Sequence, residues 1–178
     1  METVQRQDRT KAACNGGVGV VAPLMSADPR ITAYWERFTE QHPAYADRSY
    51  NAWEFGDNSE MAEELGQLVR SGVKTATAAL YWENEFDGDP LAQVGEIGIV
   101  LDGAGNPLCV VETTQIEIHP FNEVGAAFAY DEGEGDRSLA YWRDEHWRYF
   151  SRRCEVIRRE PSEIMPVVCQ RFRLLFSG

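Results

Sequence analysis

The sequence predicts an α+β domain, a mostly antiparallel β-barrel or sheet flanked by helices. Two observations carry this. Strand-like runs at 96–101 and 108–118 are separated by a Gly- and Asn-containing turn of hairpin type, and a third β-rich run spans 167–176. Helical segments are inserted among these strands rather than alternating with each, which argues against regular parallel winding. A length of 178 residues with 43% hydrophobic and 11% aromatic content suits one globular domain with a real core.

Residues 1–25 are polar, Gly-containing and without period, and read as a mobile tail ahead of a single domain at 26–178. The apolar stretch 16–25 is short, Gly-rich and lacks a cleavage pattern, so it is a poor signal peptide. No run approaches the roughly 18 apolar residues of a membrane span, and a cytoplasmic location is expected. Asp28 and Pro29 then open a helix whose apolar residues Ile31, Tyr34, Trp35 and Phe38 recur at helical spacing, with Pro43 marking its end.

Residues 51–57 read as an irregular aromatic segment. Asn58 or Ser59 caps a second helix with Met61, Leu65, Leu68 and Val69 on its apolar face and Gly72 at its C-terminal end. Residues 73–82 read as a strand, which sends Lys74 and Thr75 to opposite sides. Residues 83–90 read as an acidic loop, and 131–136 as a second acidic loop spaced by glycines. Asp136 or Ser138 caps a third helix carrying Leu139, Trp142, His146 and Phe150.

The formal net charge is -12, which disfavours sequence-independent grip on long nucleic acid. The charge is uneven: Arg137, Arg143, Arg148, Arg152, Arg153, Arg158 and Arg159 face only Asp144, Glu145 and Glu155 in the same stretch. That face can meet an anion, or simply be a solvated helix surface. Cys14, Cys109, Cys154 and Cys169 lack metal-ligand spacing, and Cys109 and Cys169 read as reduced core residues. No cofactor and no metal are expected. Among 17 basic residues only Lys11 and Lys74 are lysines. A lysine kept in an Arg-biased chain marks either a site that uses a titratable or compact cation or a placement by chance.

Three segments can carry chemistry. In Gly72-Val-Lys-Thr-Ala-Thr77, a lysine beside two hydroxyls can hold an anion, polarise a carbonyl or, if desolvated, act as a base; otherwise it is a solvated lysine on an edge strand. In Asp131-Glu-Gly-Glu-Gly-Asp136, four acids repel one another and the glycines allow close backbone approach to a ligand; otherwise this is a surface loop ending in a helix cap, and it lacks the EF-hand calcium pattern. Trp142 and His146 share a helix face and, with Trp53 and Phe55, can form an aromatic wall for a base; otherwise all four are core.

Taken in order, Gly72-Val-Lys-Thr-Ala-Thr77, residues 90–95, Val111-Glu-Thr-Thr-Gln115, Phe128-Ala-Tyr-Asp-Glu-Gly-Glu-Gly-Asp136 and Tyr141-Trp-Arg-Asp-Glu-His146 resemble the ASCH domain, in its longer bacterial subgroup, over about residues 30–178. The resemblance implies a PUA-like β-barrel with a cleft between barrel and helices, and a connection to RNA or nucleosides. Small members are amidohydrolases that deacylate 4-acetylcytidine with a lysine, a threonine and a glutamate. Matched residue by residue, these fall on Lys74, Thr77 and Glu132. The expanded acidic loop makes Glu134 an alternative to Glu132. Ribonuclease activity has also been attributed to the family.

The expected function is therefore hydrolysis of a modified nucleoside or related small amide. Thr77 supplies or positions the nucleophile, Glu132 handles the proton, and Lys74 activates Thr77 or stabilises the oxyanion. Thr75, Trp53, Phe55, Glu134, Asp136, Trp142 and His146 surround the ligand. As a polar residue in a cleft, Lys74 is expected to matter little for stability. The alternatives are an RNA-binding module or ribonuclease using the Arg137–Arg159 face, and a non-enzymatic sensor of a small ligand.

Overall fold

The computed structural model describes residues 28–178, so the expected tail at 1–25 lies outside the described residues. Helix α1 spans Pro29–Gln41. Asp28 accepts a hydrogen bond from the Arg30 backbone amide as its cap, and Ile31, Tyr34, Trp35 and Phe38 are all buried as their spacing requires. Strand β1 follows at Tyr50–Glu54 and helix α2 at Ser59–Arg70, where Asn58 caps through the Met61 amide. Strand β2 is Ala76–Leu80, helix α3 Tyr81–Asp87, strand β3 Ile97–Leu101 and strand β4 Pro107–Pro120. Helix α4 is Ala126–Glu132, helix α5 Leu139–Ile157 and strand β5 Pro166–Phe176.

The five strands form one curled sheet in the order β1-β3-β4-β5-β2, a half-barrel with β1 and β2 at its edges. The β3–β4, β4–β5 and β5–β2 pairs are antiparallel, and only β1–β3 is parallel. This is the α+β, mostly antiparallel architecture expected. Register shifts in β4 at Val110/Val111 and Thr113/Gln115 interrupt its ladder with β5, as bulges that bend a sheet do.

Three apolar clusters hold the layers together. One side of the sheet packs α1 against Tyr50, Ile97, Ile99 and Val110. A second cluster joins Val69 of α2 to Val100, Leu108 and Phe172. The third joins α4 and α5 to β2 and β5 through Phe128, Trp142, Phe150, Leu80 and Val167. Each fully buried side chain of this size contributes about 1.5–3 kcal/mol relative to exposure. Cys109, Cys154 and Cys169 are buried and unpaired. Among the described residues no helix is long and apolar enough to cross a membrane.

Four local expectations need correction. Residues 50–54 are a strand rather than irregular, because the parallel ladder with β3 satisfies their backbone. The expected acidic loop at 83–90 is mostly α3, closed by Gly88 in the left-handed conformation, and Glu83 turns inward and is buried. Asp131 and Glu132 lie in the last turn of α4 rather than in a loop. The buried face of α2 is Ala62, Gly66 and Val69, while Met61 is exposed. A side chain at Gly66 would meet Leu108 at 2.6 Å, so only a small residue fits that close contact.

Candidate functional site

The turn after α2 brings Lys74 under the end of α4. The Val73 and Lys74 amides both donate to the Leu68 carbonyl, and the Thr75 amide donates to the Asp131 carbonyl at 2.8 Å. Gly133, at φ +75°, passes so close that a Cβ there would lie 2.7 Å from the Val73 carbonyl oxygen. The glycine expected to admit a ligand therefore admits the protein's own backbone.

This crossing buries Lys74. Its ammonium lies 3.0 Å from Glu132 Oε2, 3.4 Å from the Glu132 carbonyl oxygen and 2.5 Å from Glu134 Oε1. Its side chain has no exposed surface, whereas that of Glu134 is 23% exposed. Burial pushes the Lys74 ammonium towards neutrality, but the Glu132 and Glu134 carboxylates outweigh it and hold its pKa above the ordinary 10.5. Lys74 is thus held as a cation. An ammonium has three protons, and three acceptors already surround this one. Nor is Lys74 a neutral matter for stability, since removing it would strand buried carboxylates.

Burial also raises the Glu134 carboxyl, but the Lys74 charge beside it, then His146, outweigh that and lower its pKa below 4.5. The Glu132 carboxylate is fully engaged. Its Oε1 accepts from the Trp142 indole at 2.6 Å and lies 3.5 Å from His146 Nε2. The His146 ring stacks on Trp142 at 4.2 Å.

A cavity of about 150 Å³ opens over this cluster. Of the expected site residues, Phe55, Thr77, Glu132, Glu134 and His146 line it. Lys74 lies behind them, with its ammonium 5.2 Å from the centre of the Phe55 ring. Trp142 is buried and reaches the site through Glu132 and the stacked His146 ring, and Trp53 packs edge-on against Phe55 without lining the cavity. Thr75 and Asp136 have local roles instead. The Thr75 hydroxyl donates to the Asp131 carbonyl, and Asp136 accepts from the Ser138 amide. Gly56, Met61, Leu65 and Ala78 also line the cavity, as do Tyr141, Glu145, Tyr149 and Arg152 of α5. The spacing of the α5 residues by four, four and three, one face of a helix, is the sequence signal that marks them. Among the described residues no group of three or more His, Cys, Asp or Glu side chains is placed to hold a metal ion.

The family model of the ASCH domain matches residues 51–175, which span the whole cluster and most of the sheet. This chain belongs to the ASCH domain family. An ASCH domain of Lactobacillus crispatus is similar over 86% of this chain and 99% of its own, at 28% identity and a TM-score of 0.80. A protein of Enterococcus faecalis is 36% identical over 82% of this chain and 87% of its own, at a TM-score of 0.74. No curated protein matches the chain. The half-barrel of this ASCH domain is accordingly PUA-like.

Proposed function

We propose that this ASCH domain hydrolyses a small amide on a single-ring nucleoside, as in 4-acetylcytidine. The observation that supports this best is the Glu132–Lys74–Glu134 cluster, buried and internally paired, at the base of a small cavity that Thr77 also lines. A cavity of about 150 Å³ suits one six-membered ring, since a dry engineered cavity of about that volume takes benzene. Phe55 supplies an aromatic face for that ring.

With every Lys74 proton taken, Lys74 positions rather than contacts substrate. It holds Glu134, the more exposed of the two acids, against the cavity as an ionised base. Glu134 then takes the proton of the nucleophile, either the Thr77 hydroxyl or a water beside it. Glu132, with both oxygens engaged, anchors the arrangement.

The RNA reading is less well supported. Arg148, Arg152, Arg153 and Arg159 pair with Glu145, Asp57, Glu83 and Glu85, while Arg137 and Arg143 bond backbone carbonyls. Little of the basic face is left for phosphates. The test is release of acetate from 4-acetylcytidine by the purified protein at 50 and 200 mM salt, beside binding of a short single-stranded RNA. Saturable turnover that changes little with salt is expected. No turnover, with RNA binding that falls steeply over that range, would replace this reading with the RNA one.

A further inference from the structure

One hydrogen bond and one close contact of His146 bear on where its protons are. Nδ1 lies 3.0 Å from the Trp142 carbonyl oxygen. A carbonyl only accepts, so Nδ1 carries a hydrogen. Nε2 then faces Glu132 Oε1 at 3.5 Å. At that separation, beyond an ordinary hydrogen bond, a bare Nε2 lone pair and a carboxylate oxygen still repel, which favours a proton on Nε2 or on Glu132 over none. Glu132 already accepts from the Trp142 indole on Oε1 and from the Lys74 ammonium on Oε2, so both of its oxygens are occupied as acceptors. The proton therefore belongs on Nε2.

We propose that His146 rests as an imidazolium and is a catalytic residue of the hydrolysis proposed above, the donor of a proton to the leaving nitrogen; this rests on that reading. Charge supports it. The groups facing His146 are Glu132 of α4, Glu134 just after α4, and Lys74 behind both, with Glu145 and Arg152 along α5. With His146 charged, two cations meet two anions in the buried cluster. With it neutral, the cluster carries a net negative charge with little water to screen it. The stack on the Trp142 ring at 4.2 Å and 16° also favours a cation over an aromatic face.

The contact to Glu132 is longer than the roughly 2.7–2.9 Å of a strong charge-assisted bond, so the Nε2 proton is held loosely. His146 also lines the cavity, where its side chain is 13% exposed. In the reaction, the nucleophile's oxygen bonds to the amide carbon as its proton passes to Glu134. The adduct then collapses and the carbon–nitrogen bond breaks. Its electron pair stays on the nitrogen, which takes the Nε2 proton. The proton on Glu134 recharges His146, and where Thr77 is the nucleophile, water releases the acyl group by the same steps.

The test has two arms. The first reads ¹⁵N ring shifts of His146 in the full chain at pH 7, identified among the three histidines by its loss in His146→Asn. Both ring nitrogens are expected to be protonated, and Glu132→Gln is expected to leave Nε2 bare. A neutral His146 in the wild type overturns the proposal whatever the activity. The second compares His146→Asn with wild type on 4-acetylcytidine and on an acetyl ester, whose oxygen leaving group needs less protonation. A fall of about 10²- to 10⁴-fold on the amide and a much smaller fall on the ester are expected. Equal falls on both overturn the donor role. An inactive wild type with a doubly protonated His146 overturns the hydrolase reading, and the donor role with it, while the charge state stands.

Discussion

Lys74 and Arg153 each hold a buried glutamate, yet they sit in different kinds of place. Lys74 has no exposed side-chain surface and serves two carboxylates beside a cavity. Arg153 is 20% exposed and bonds one carboxylate, Glu83, where α3 meets α5. The carboxylates respond in opposite directions. Burial raises the Glu83 pKa above 4.5, and the Arg153 hydrogen bond only partly offsets it. Glu134 is lowered, because Lys74 more than offsets its burial. One fully enclosed cation thus favours the ionised form of Glu134, while one partly exposed cation leaves Glu83 reluctant to ionise.

The largest break in this comparison is Lys74→Ala. It should cost about 3–5 kcal/mol in urea unfolding, because the buried Glu132 would lose its ion-pair partner. Lys74→Arg should keep more stability but not function. The fork is larger than the enclosed site, and shifting Glu134 by about 1 Å is enough to cost about 10²-fold in turnover. Near-normal turnover by the Arg variant would show that charge alone is needed. Arg153→Ala should cost less, about 1–3 kcal/mol, since Glu83 can take a proton instead. A loss as large as that of Lys74→Ala would erase the distinction.

The two pairs should also separate by pH. Glu134, with a lowered folded pKa, contributes stability that is present above 4.5 and lost as pH falls through its folded value. Glu83, with a raised one, contributes stability that is present below 4.5 and lost as pH rises through its folded value. Glu134→Gln should therefore flatten the acid side of the stability profile, and Glu83→Gln should remove the loss on the rising side. Profiles that match wild type in both variants would discard this assignment. The smallest effect is expected of Arg148→Ala, whose pair with Glu145 is exposed. It should stay within about 0.5 kcal/mol by thermal melt.

What the sequence makes legible is what local chemistry decides. Helix α1 can be read from Asp28, Pro29 and the spacing of its four buried residues, and β3–β4 from its turn. Helices α3 and α4 are illegible because seven residues are too few for a period, and their acidic residues resemble loop. Only Gly88 and Gly133, both left-handed caps, mark them. Strand β1 is hidden for another reason, since its parallel partner lies 47 residues ahead. The site shows the same division. The Lys74 and Thr77 segment and the acidic run stand out as motifs. That both acids share one lysine, and that His146 faces Glu132, depends on Gly133 crossing Val73.

The place of β2 at the sheet edge bears on synthesis. Its hydrogen-bonded neighbour in the sheet is β5, with Thr77 set against Gln170, so the strand that carries Thr77 emerges from the ribosome long before its partner. Until residues 166–176 are made, β2 has no ladder to join. The pocket that Thr77 lines is therefore complete only when β5 closes the sheet. Such dependence on distant contacts predicts slow folding, with the pocket completed in one late step rather than growing with chain length.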